Sequence, residues 1–107
     1  MNDKLETSLL YDFYGELLQD SQKKVVELYV NDDLSLSESA DLLGISRQGV
    51  HDMIRRCDMI LGGYESKLKL VERFLNIRSE IQKIKDIAIN ADADEIAAIA
   101  ESVLEEL

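Results

Sequence analysis

Leu36-Ser37-Glu38-Ser39-Ala40-Asp41-Leu42-Leu43-Gly44-Ile45-Ser46-Arg47-Gln48-Gly49-Val50 reads as a helix, a tight turn and a second helix. Ser35, followed three residues on by Glu38, forms a capping box: the serine oxygen takes an early amide proton and the glutamate reaches back to the cap. Gly44 stands where a helix end favours a residue tolerant of left-handed backbone. Ser46 then caps the second helix. The remaining demands of a helix-turn-helix are also met. Ala40 is the small residue at the close helix crossing, Ile45 the branched residue that plugs the angle after the turn, and Val50 and Ile54 the inward pair of the second helix. Residues 36–60 therefore form the unit whose second helix is offered to the DNA major groove.

The outer face of that second helix carries Arg47, Gln48, His51, Asp52 and Arg55, with Arg56 alongside. Arginine can bond the major-groove edge of guanine through two donors, and glutamine can do likewise with adenine. Ser46 and the free amides at the helix start suit a phosphate. His51 reads as a surface residue facing the groove. Arg55 and Arg56 lie further along, where cations contact backbone phosphates and position rather than specify; pairing with Asp52 or Asp58 is their other reading. Gly49 weakens the helix by roughly 0.5–1 kcal/mol relative to alanine, and either admits a close approach of DNA or marks a less stringent reader.

Outward from the motif, helical periodicity continues. Apolar residues at 5, 9, 10, 13, 14, 17 and 18 predict one helix from Leu5 to Leu18. Asp20 and Ser21 offer a cap for a helix from Gln22 to about Tyr29, with Val25, Val26, Leu28 and Tyr29 inward, and Asn31-Asp32-Asp33 is a turn. The helix after Ser46 buries Val50, Ile54, Ile60 and Leu61 and is expected to break at Gly62-Gly63. Beyond the break, Leu70, Phe74, Ile77, Ile81, Ile84, Ala88 and Ala91 alternate at spacings of four and three, the seam of a coiled coil or of a helix lying in a long groove. Asp92 reads as the cap of a last helix with Ile96, Ile99, Ala100, Val103 and Leu107 on one face. The expected organisation is residues 1–62 as the domain holding the motif and residues 64–107 as a packing or dimerisation element.

The chain has 107 residues and no proline, with 46% apolar and 32% charged residues, values that suit an all-α protein of long, wet-faced helices. Its net charge of −10 is unevenly spread. Residues 1–45 hold 3 basic and 10 acidic residues and residues 74–107 hold 3 and 8, whereas residues 46–73 hold 6 and 4 and are net positive. An acidic field of this size opposes loose binding to phosphates but leaves local docking open. With one histidine and one cysteine, a cluster of the usual zinc ligands cannot form within the chain, and Cys57 has no disulfide partner. Neither glycine-rich phosphate fingerprint is present, His51 has no serine suited to a catalytic pair, and no apolar run approaches the ~20 residues of a bilayer span. No enzymatic activity, cofactor, metal or membrane association is expected, and the cytoplasm is the expected location.

The run from Gln22-Lys23-Lys24-Val25-Val26-Glu27-Leu28-Tyr29 through the quoted stretch to Ile54-Arg55-Arg56 resembles region 4 of sigma-70 class initiation factors. With Tyr11-Asp12-Phe13-Tyr14-Gly15-Glu16-Leu17-Leu18 ahead of it, the chain is more closely similar to the small YlxM-type family. The resemblance covers roughly residues 9–75. It implies an all-helical fold of the sigma region 3/4 type with a long C-terminal extension, a DNA-binding role, and a link to the signal recognition particle pathway. Ser46, Arg47, Gln48, Val50 and Ile54 match the motif's recognition helix and Gly44 its turn. Ser39 stands where sigma-like motifs have isoleucine, and Gly49 where they have alanine or threonine.

Two function classes follow. One is a regulatory protein that binds double-stranded DNA as a homodimer, paired through Leu70, Phe74, Ile77, Ile81, Ile84 and Ala88. The other is an acidic adaptor that docks on a basic protein or a ribonucleoprotein, such as a signal recognition particle component, without reading DNA.

Overall fold

In a computed structural model that describes residues 3–107, the chain consists of six α-helices with two tighter or wider turns between them, and among the described residues there is no strand. It divides into two compact units at Lys69–Leu70.

The first unit opens with α1 (Lys4–Tyr14), capped by Asp3, whose carboxylate accepts the Glu6 amide at 2.8 Å. The expected single helix to Leu18 ends early: a 3₁₀ turn over Gly15–Leu17 follows. A β-carbon on Gly15 would lie 2.8 Å from the Tyr11 ring, so glycine lets that ring lie against the backbone there. The tighter turn shifts the register, leaving Leu17 exposed and Leu18 buried. The buried line of α1 is Thr7, Leu10 and Tyr14, while Leu5 is 80% exposed. The expected stripe held Leu10 and Tyr14 and lacked Thr7, a polar residue that belongs to the inner face. Its hydroxyl donates to the Asp58 carboxylate at 2.6 Å, and both groups are buried.

The next helix, α2 (Asp20–Val26), starts before the predicted cap; Gln19 occupies that position, its amide donating to the Gln22 side chain at 2.9 Å. It widens into a π turn over Glu27–Asn31, closed by the Asp32 amide on the Glu27 carbonyl. That turn buries Val30 and leaves Leu28 and Tyr29 half-covered. Polar contacts clamp α1 to it: Tyr11 donates to Glu27 at 2.7 Å, Lys4 pairs with Asp33 at 2.8 Å, and the Lys4 ammonium sits 4.2 Å from the centre of the Tyr29 ring. Burial, reinforced by Glu27, pushes the Tyr11 hydroxyl up to a pKa of about 12.

Then come α3 (Leu36–Leu43) and α4 (Arg47–Leu68), and α4 packs against α1, α2 and α3. Val50, Ile54, Cys57 and Leu61 form its buried stripe, and Ile60 is only half-buried. The helix runs unbroken through Gly62-Gly63, contrary to expectation. Two glycines cost on the order of 1 kcal/mol each in a helix. Contacts on both sides of them offset this: Leu61 is buried, the Tyr14 hydroxyl donates to Glu65 at 2.5 Å, and the Tyr14 and Tyr64 rings stack with centroids 6.0 Å apart. The helix stops at Lys69, in left-handed backbone at φ 54°. A β-carbon on Gly63 meets nothing within 4 Å. Gly63→Ala is therefore expected to raise stability by about 0.5–1 kcal/mol, read as a shift in the midpoint of urea unfolding at constant slope.

The second unit is a helical hairpin of α5 (Leu70–Asn90) and α6 (Asp94–Glu106). Its turn is closed by the Ala93 amide on the Ala88 carbonyl at 2.8 Å. Asp92 does not cap α6. It adopts φ 54° within the turn, and Ala93 takes the cap position. Val71, Ala88, Ala100 and Leu104 are buried, and Lys85 pairs with Glu101 across the hairpin. Ala88 is thus covered inside the hairpin, which fits the packing reading of its seam and keeps it off any face left open for pairing. The expected face of α6 is likewise turned: Ile96, Ile99, Val103 and Leu107 are exposed, and Ala100 and Leu104 do the packing.

Candidate nucleic-acid interface

The elbow between α3 and α4 is built by local hydrogen bonds. The Ser35 hydroxyl accepts the Glu38 amide at 3.0 Å, and the Glu38 carboxylate accepts the Ser35 amide at 3.1 Å. Hydrogen bonding to the carboxyl from Ser35, through its backbone amide first and its side chain second, holds the Glu38 carboxyl below its ordinary pKa. Gly44 ends α3 at φ 69°, and the following Ile45 amide returns to the Ala40 carbonyl at 3.2 Å. Ser46 accepts the Gly49 amide at 2.9 Å and starts α4. A β-carbon on Gly49 would lie 3.1 Å from that Ser46 oxygen, which gives the glycine a structural reason: it leaves room for the cap.

Ala40, Val50 and Ile54 are buried. Ile45 lies across the elbow, its side chain within 4 Å of where a β-carbon on Gly49 would stand. It is 39% exposed and lines an open apolar hollow with Val25, Leu43 and Met53. Ser39 is fully buried beside Ala40 with its hydroxyl unpaired. An orphaned hydroxyl of this kind costs about 1–3 kcal/mol.

On a helix, Gln48, Asp52, Arg55 and Met59 succeed one another at four-, three- and four-residue steps and share the face opposite the buried stripe. Arg47 and Gln48 are exposed at its start, and Arg47 makes no side-chain hydrogen bond or ion pair among the described residues. Gln48 donates its amide to Asp52 at 2.9 Å. His51 lies half-buried with Nδ1 3.8 Å from the same carboxylate. Arg55 and Arg56 are exposed and, with Asp52, Met59 and Ile60, border a shallow hollow on the helix surface. Neither arginine pairs with Asp58, which points inward to Thr7, leaving both cations turned to solvent.

The hold of Asp52 on Gln48 is the feature the residue-by-residue reading missed, although glutamine and aspartate four apart are a known helical pair. Met59, 76% exposed at the far end of the face, was also missed. Cys57 offers no chemistry here: burial, then Asp58, pushes its thiol up to about 11, so it stays protonated at neutral pH. Among the described residues, no group of three or more metal-ligating side chains comes together, and no helix is long and apolar enough to cross a membrane.

Comparison with known proteins bears on this geometry. Residues 1–101 match the family model described as "Putative helix-turn-helix protein, YlxM / p13 like". A UPF0122 protein of Clostridium kluyveri is 41% identical, the match covering 96% of this chain and 93% of the relative. One of Thermoanaerobacter pseudethanolicus is 43% identical over 99% and 94%, and one of Clostridium novyi 45% over 83% and 74%.

Proposed function

The chain belongs to the YlxM / p13-like helix-turn-helix family, and on that premise we propose that it is a DNA-binding regulator that reads double-stranded DNA with the start of α4. The observation that carries this reading is Arg47, an exposed and unpaired cation in the first turn of a capped helix whose segment is the net-positive one of the chain. Ser46 and the first amides of α4 meet a phosphate. Arg47 bonds a guanine edge, and Gln48 an adenine edge once it leaves Asp52. His51 borders the groove, and Arg55 and Arg56 hold phosphates further along. The setting is the cytoplasm, the output transcription regulation. The active form is a homodimer, since one helix covers few base pairs and two copies read half-sites about 34–36 Å apart.

Binding of the purified chain to genomic duplex fragments, followed by anisotropy across a salt series, tests this. A sequence-selective complex at low salt is expected; its absence sinks the reading. A finer prediction concerns Asp52. Replacing it with alanine frees the Gln48 amide and removes a negative charge from the reading face. Duplex affinity should rise by about 3–10-fold, while stability falls by no more than the roughly 0.2–0.5 kcal/mol of an exposed helical pair.

The strongly acidic character of the chain favours a second reading. A net charge of −10 suits an adaptor on a basic protein or on a ribonucleoprotein, the signal recognition particle being the one the family resemblance implies. Capture of that particle unchanged by Arg47→Ala with Gln48→Ala would support the adaptor.

A further inference from the structure

The hairpin of α5 and α6 spans residues 70–107 and, where its helices face each other, buries only Ala88, Ala100 and Leu104, two of them alanines. Below about 40 residues a chain rarely holds itself together without outside help. What it leaves uncovered is organised. Ile84, Ile87 and Ile96 line an almost wholly apolar groove of about 230 Å³ between the two helices. Ile99 and Val103 continue that face along α6, three and seven residues after Ile96, and Ile77 continues it along α5, seven residues before Ile84. These six side chains are 36–69% exposed.

We infer that this two-helix face is the docking surface for the same face of a second copy. The inference rests on the homodimer in the proposed function but not on its DNA target. The six side chains, each at least a third exposed, leave an apolar face in the ~300–600 Å² range of the largest patch on a typical monomer. At its upper end that range approaches the ~800 Å² that each partner contributes to a standard interface. The face belongs to the folded hairpin itself, so it calls for a partner present whenever the chain is folded. Another copy meets that need, and a two-fold axis lets one patch cover its twin. Two hairpins face to face then make a four-helix layer around one apolar seam. This surface differs from the single-helix seam read in the sequence: Ala88 drops out, and Ile87, Ile96, Ile99 and Val103 enter.

Charge gives the pairing a signature. Residues 70–107 hold 4 basic and 9 acidic residues, so two copies repel at long range, and added salt should tighten the dimer. A foreign basic partner would instead be loosened by salt.

Sedimentation equilibrium of the full chain from about 1 to 100 µM tests the proposal, together with the concentration dependence of Tm that a dimer must show. The wild type is expected to be dimeric and more so at high salt, with Tm rising with concentration. Ile87→Lys and Ile99→Lys should each raise the dissociation constant about 30-fold or more, as disrupting the centre of an interface does. Leu75→Lys changes an exposed apolar residue half a turn round α5 from Ile84 and should leave it unchanged. A wild type that stays monomeric at about 100 µM, with a flat Tm, overturns the proposal. So does a dimer that the Leu75 variant breaks and the Ile87 and Ile99 variants do not. A monomer that binds a lysine-flanked amphipathic peptide less well as salt rises also overturns it. Should the lysine variants unfold, the wild-type mass and Tm still decide. Failure to bind DNA leaves these readouts untouched.

Discussion

Ile54→Ala is expected to lower the unfolding free energy by about 2–5 kcal/mol, the range for truncating a buried isoleucine. Ile54 is 1% exposed and belongs to the stripe of α4 that faces α1, α2 and α3 together. Removing three carbons there subtracts their transfer free energy. It also leaves a void that three separately anchored helices cannot all close. Single domains are stable by only about 5–15 kcal/mol, so the variant should sit near the edge of folding. Urea unfolding followed by helical circular dichroism gives the number. Met59→Ala is the matched control, because Met59 is 76% exposed and such sites change stability by about ±0.5 kcal/mol. A decrease below about 1 kcal/mol for Ile54→Ala would mean that α4 is not packed as described.

Local chemistry was the legible part of this fold. The Ser35–Glu38 box, the left-handed Gly44 and the Ser46 cap each act within a few residues, so a pattern of residue types suffices to place them. Where tertiary contacts decide, the reading slipped. Gly62-Gly63 has every local mark of a break, yet α4 continues because residues on both sides of it engage α1. Thr7 was absent from the predicted stripe because its partner, Asp58, lies 51 residues away. Asp92 looked like a cap, but the hairpin turn requires a left-handed residue at that point. The stretch that carries the candidate interface was placed at a helix start for the same local reason as its caps. What could not be read was which side chains are already engaged. Arg47 and Gln48 are neighbours of similar promise in sequence, and the structure leaves one open and ties the other to Asp52.

That asymmetry sets the terms of the sharpest functional prediction. Arg47→Ala combined with Gln48→Ala should weaken binding to the preferred duplex by about 30-fold or more, since each bidentate base contact discriminates by about 1–3 kcal/mol. Both side chains are exposed, so helicity and stability should hardly move. Arg47 should account for most of the weakening, because Gln48 gives up its bond to Asp52 before it can bond a base. The salt series separates bonding to bases from bonding to phosphates. If the pair reads bases, affinity falls for the preferred sequence far more than for random duplex, and the slope of log affinity against log salt changes little. Arg55→Ala with Arg56→Ala should do the reverse, weakening all duplexes alike and lowering the slope by about one for each phosphate no longer neutralised. A uniform weakening and a shallower slope for the Arg47–Gln48 pair would move Arg47 from base edge to backbone. Unchanged affinity, with folding intact, would remove DNA reading by this helix and leave the adaptor as the function that the acidic chain supports.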